Sequence, residues 1–165
     1  MNDPENCHPS RVYLMLKRLV KFLGERKFAI QQVKVVSVGI EHGKSVGTVI
    51  GSHTMAMRLE DAPFTPNQGA PLCGYIYGFA DVVCQHVGLE RGGLASVNAA
   101  ITAVNMAVPN EKARQMIELF FVNGEQKSEF ERGMQLGAAG ANGFLNKERW
   151  SDGLRAVVRP LVGER

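Results

Sequence analysis

Apolar positions along the chain follow two rhythms, and the change between them predicts its elements. From Arg11 to Phe28, Val12, Leu16, Leu19, Val20 and Leu23 recur at the spacing of one helix face, with Ser10 placed to cap it. From Val33 to Met57 the apolar residues become β-branched: Val33, Val35, Val36, Val38 and Ile40, then Val46, Thr48, Val49 and Ile50. Glu41-His42-Gly43-Lys44 separates the two runs and suits a turn, because Gly43 tolerates positive φ. The pattern predicts a β-hairpin. Residues 61–71, carrying Pro63, Pro66, Gly69 and Pro71, read as a loop.

Helical spacing then returns. Ile76, Phe79, Ala80, Val83 and Val87 make one stripe of a helix over Gly74–Val87, which Gly88 would stop. Tyr77, Asp81 and Gln85 form a polar stripe on the same helix. Leu94, Val97, Ile101, Val104 and Val108 predict the next helix. After Pro109, Asn110 would cap a further one with Ala113, Ile117 and Phe120 on its face. Asn123-Gly124 suits either a helix end or a hairpin turn. Ser128 and Glu131 have capping-box spacing, and Phe130, Met134, Gly137, Ala138, Ala141 and Leu145 continue as a face. A short last helix is expected over Lys147–Val158, ending before Pro160. The expected fold is therefore α+β: a mainly helical single domain over residues 10–165, with an N-terminal helix and one β-hairpin. Residues 1–9, with Pro4 and Pro9, read as a flexible lead-in.

Glycine placement adds a constraint. Gly133, Gly137 and Gly140, with Gly143, lie inside a predicted helix, where each costs roughly 1 kcal/mol relative to alanine. Close approach of another backbone is the usual compensation, so these positions are expected to pack helices together. Tyr75-x-x-Gly78-Phe79 and Phe130-x-x-Gly133-Met134 share a pattern that suggests a short internal repeat.

Composition narrows the class. The chain has 165 residues, is 45% hydrophobic and 21% charged, and carries a formal charge of +3. These are values of an ordinary globular protein, and the mild charge argues against an obligate nucleic-acid binder. The charge is uneven. Arg11, Lys17, Arg18, Lys21, Arg26, Lys27 and Lys34 face only Glu25 between residues 11 and 35. Residues 62–110 hold only Asp81, Glu90 and Arg91, which implies burial or a partner. Cys7, Cys73 and Cys84 suggest reduced thiols, and no apolar run is long enough for a transmembrane segment, so a cytoplasmic location is expected.

Candidate chemistry is sparse. Gly39-Ile40-Glu41-His42-Gly43-Lys44-Ser45 has three residues between its glycines, where a phosphate loop needs four. Cys7 beside His8, and Cys84 near His86, lack zinc-ligand spacing. No metal or other cofactor is expected. Lys17, Arg18 and Lys21 form a basic patch opposite the Leu16–Val20–Leu23 stripe, suited to acidic lipid or a phosphate backbone. Asp81 is the one acidic residue between Asp61 and Glu90, on a largely apolar helix.

The segment from Asn67 through Gly74-Tyr75-Ile76-Tyr77-Gly78-Phe79-Ala80 to Asp81 resembles the central-helix motif of hotdog-fold acyl-CoA thioesterases. In this chain Leu72 and Cys73 stand where that motif has His and its first Gly. The resemblance implies Asp81 as catalytic carboxylate, Asn67 and Gly74 beside the thioester, acyl-CoA as ligand, and several long strands after the helix. Without it, the residues point to a non-catalytic interaction or accessory module. Its Gly- and Ala-rich helices would pack within the chain, against a second copy, or against another protein.

Overall fold

The computed structural model describes residues 11–65, 67–118 and 127–163, apart from the side chains of residues 11–20, 22, 23 and 110. The expected lead-in over 1–9, the Asn123-Gly124 pair and Phe120 lie outside these residues. The chain divides after Val35 into two units. The described residues form six helices: α1 (Arg11–Ala56), α2 (Ala70–His86), α3 (Leu94–Ala107), α4 (Asn110–Glu118), α5 (Lys127–Leu145) and α6 (Ser151–Val162). A 3₁₀ turn spans Leu59–Asp61.

No strand occurs among the described residues, so the fold is mainly α rather than α+β. The expected β-hairpin is the second half of α1, and Glu41-His42-Gly43-Lys44 lies in mid-helix instead of at a turn. The physical reason is that β preference is decided by packing, and helix propensity separates these residue types by only about 0.5 kcal/mol each. Burial follows a helix: Gly39, Gly43, the pair Val46 and Gly47, Ile50 and Thr54 are buried, one helical turn apart. The glycines let α3 approach. A Cβ at Gly39 would lie 2.5 Å from the Ala95 carbonyl oxygen, and one at Gly43 would lie 2.5 Å from that of Ala99. The Thr54 hydroxyl donates to the Ala107 carbonyl at 2.8 Å.

Helix α2 is the centre of the unit over residues 36–165. It packs on α3, α4, α5 and α6 and is buried on most sides, as expected of a helix that is apolar almost all round. Its contact with α5 is made by interlocked glycines. A Cβ at Gly133 or Gly137 would run into the Pro71 or Tyr75 carbonyl, and one at Gly74 or Gly78 into that of Phe130 or Met134. The two helices run parallel and exchange equivalent contacts, Gly74 with Gly133 and Gly78 with Gly137 as counterparts. The repeat suggested by the sequence paired Gly78 with Gly133, one turn out of register.

Helix ends follow local chemistry. Gly88 takes φ 83° after α2, while Gly88 and Leu89 donate to the Gln85 and Cys84 carbonyls, a Schellman ending. After α5, Lys147 occupies the same left-handed position with φ 60°, and Glu148 donates to Gly143 at 2.7 Å. The last helix starts at Ser151 and continues past Pro160 to Val162, where a stop before Pro160 was expected. Trp150, just ahead of it, meets His53, Phe79 and Phe144 edge-on, at centroid distances of 4.6, 5.6 and 5.7 Å.

Candidate functional site

Asp81 lies on α2, five residues before its end, and faces the turn that leads to α3. The residue is only 9% exposed. One oxygen accepts the Gly92 backbone N–H at 2.7 Å, and the other accepts from Gln85 Nε2 at 2.8 Å. Gly92 itself takes φ 62°. The carboxylate therefore holds the α2–α3 turn, with charge-assisted hydrogen bonds to both of its oxygens.

Beside it lies an open groove of about 450 Å³, lined by Tyr77, Asp81, Gln85, Arg91, Gln135 and Met134 among others. Burial, and then the neighbouring Asp81 charge, raise the Tyr77 phenol above its ordinary value. The Tyr77 phenol and a carboxylate already engaged in two hydrogen bonds make one polar wall of the groove.

The residues implied by the thioesterase resemblance separate here. Asn67 is exposed in the loop before α2. Gly74 is covered by the Phe130 backbone, which fills the space where a thioester oxygen would approach. The stretch after α2 that the resemblance would make into strands is helical in α3, α4 and α5. Thus the sheet implied by the resemblance is absent among the described residues.

The glycines singled out for helix packing lie in the interior. Gly133 and Gly137 meet α2 backbone, and a Cβ at Gly140 would meet the Tyr75 hydroxyl. The glycine run of α1 was missed as a packing face. Its repeat of four, from Gly39 through Gly43 and Gly47 to Gly51, matched in α3 by Ala95, Ala99, Ala103 and Ala107, was the available signal.

Neither described thiol is activated. Burial raises both Cys73 and Cys84, and the Cys73 thiol donates to the Met116 carbonyl at 3.2 Å. Among the described residues no group of three or more His, Cys, Asp or Glu side chains could hold a metal ion. No described helix is long and apolar enough to cross a membrane.

The remaining candidate is helical surface before Val35. Of the basic patch, the side chains of Lys17 and Arg18 lie outside the described residues. Lys21 is exposed and stands 4.0 Å from Glu25. Farther along, Phe28, Ile30 and Val33 are 65%, 56% and 68% exposed. Ile30 and Val33 continue the Leu16–Leu19–Leu23 stripe at helical spacing, whereas Phe28 stands on the opposite side. Comparison of the chain with known protein families, curated proteins and solved structures gives no match.

Proposed function

We propose that this protein is a non-catalytic docking module. Residues 36–163 are the scaffold, and the helical segment up to Val35 carries the docking surface. The reading departs from the sequence expectation in one respect. The small-residue faces on α1, α2, α3 and α5 are occupied within the chain, so they serve as internal seams, and docking falls to a different surface. The observation that carries the reading is the exposure of Ile30 and Val33, adjacent members of one apolar stripe. Apolar groups recurring on one exposed face are the usual mark of an interaction surface. The engaged state of Asp81 supports the same reading, because the polar groove then has a structural reason to exist.

The test is a photo-crosslinking residue in place of Ile30, with the same residue in place of the exposed Asp152 as control. The expected result is an adduct from position 30 to a molecule other than the chain itself, and none from position 152. Adducts from position 30 confined to the chain's own residues would overturn the proposal.

A further inference from the structure

We infer that the docking surface takes an anionic lipid surface, with the helix lying along it and Ile30 and Val33 facing the acyl boundary. This rests on the docking reading above and names its partner. Two independent properties of the segment have to be satisfied together. The first is charge: seven basic residues and a single acidic one lie between Arg11 and Val35, while the whole chain is only +3, so the positive charge is concentrated in this segment. The second is the exposed apolar pair Ile30 and Val33. Lys27 and Lys34 stand three residues before and four after Ile30, along one edge of the stripe to which that pair belongs, and both are exposed. Their alkyl stems are long enough to place ammonium groups at headgroup level while the stripe is buried.

Three occupants compete, and chemistry separates them. A second copy of this segment would cover the stripe but bring two strongly basic helices side by side, a repulsive arrangement. A nucleic acid would neutralise the charge but offer its phosphate backbone no use for Ile30 and Val33. An anionic membrane surface satisfies both, by burying apolar area and attracting each cation. No described helix is long and apolar enough to span, so the geometry is that of a helix lying on the surface.

The experiment is co-sedimentation of the full chain with vesicles of phosphatidylcholine alone, and of phosphatidylcholine mixed with phosphatidylserine. Binding is expected to the mixed vesicles only, weakening as salt is raised. Lys27→Gln with Lys34→Gln should weaken it roughly 30-fold, at about a fivefold loss per cation. Ile30→Ser with Val33→Ser should weaken it by about 100-fold, while the thermal melt stays where it was because both residues are exposed. Equal binding to both vesicle types, or none to either, would overturn the lipid assignment. So would binding to duplex DNA, without vesicle binding, that Ile30→Ser and Val33→Ser leave intact. The two levels separate cleanly. Absent vesicle binding together with an Ile30 adduct to another protein sinks the lipid partner and keeps the docking surface. Adducts only within the chain sink both.

Discussion

Single glycines in this protein have opposite roles according to what lies over them. At Gly137 a Cβ would collide with the Tyr75 backbone carbonyl, which cannot swing aside as a side chain can. Gly137→Ala is expected to cost about 3 kcal/mol or more, read as a lower midpoint in urea unfolding. At Gly24, also within a helix, nothing among the described residues lies within 4 Å of the added carbon. Gly24→Ala should instead raise helix content by circular dichroism, gaining roughly 0.5–1 kcal/mol of local stability. A comparable loss at both positions would show that the interlocked backbone contact is not what Gly137 provides. Asp81 illustrates a related point at the scale of one side chain. Its isolation in an apolar stretch was visible in the sequence, and its burial is real. Its partners, Gly92 N–H and Gln85, give it a structural task.

Helices are decided here by contact more than by residue preference, which explains what the sequence revealed and what it hid. The spacing of Ile76, Phe79 and Ala80 announced α2, and all three are buried. The spacing of Leu94, Val97, Ile101 and Val104 announced α3 but not its face, since Leu94 is exposed and the buried side is Ala95, Ala99, Ala103 and Val104. The second half of α1 was obscured because valine and isoleucine favour strands by side-chain shape. The decisive signal was a four-residue glycine repeat that acquires meaning only beside the alanine repeat of α3. The candidate docking stripe was half visible: Leu16, Leu19 and Leu23 set its direction, but spacing alone does not tell an exposed Ile30 from a buried one. Helix endings were legible where glycine marked them, as at Gly88, and not at Lys147, which holds a left-handed conformation that glycine adopts at lower cost. Lys147→Gly should therefore stabilise the end of α5 by about 1 kcal/mol, raising the thermal midpoint by a few degrees. An unchanged or lower midpoint would mean the lysine side chain contributes as much as its backbone costs.

Across the whole molecule, the protonated forms of buried acids tie stability to alkaline pH. Burial raises the Cys73, Tyr75 and Cys84 groups above their ordinary values. The folded state then holds protons that the unfolded chain releases first, so this contribution is complete below the ordinary thiol range, about 8.5. It is lost progressively as pH rises from there through the ordinary phenol range near 10 toward the raised values. The thermal midpoint should fall across that interval, less steeply in Cys73→Ala, and a flat profile would contradict the burial of these groups. The seam between α1 and α3 has a different molecular consequence. Both of its sides repeat every four residues, so sliding one helix by about 6 Å would again set most glycines against alanines. Such a ladder is nearly blind to its own rung number. One contact that breaks this self-similarity is the hydroxyl of Thr54 on the Ala107 carbonyl, a pin at the end of the rail.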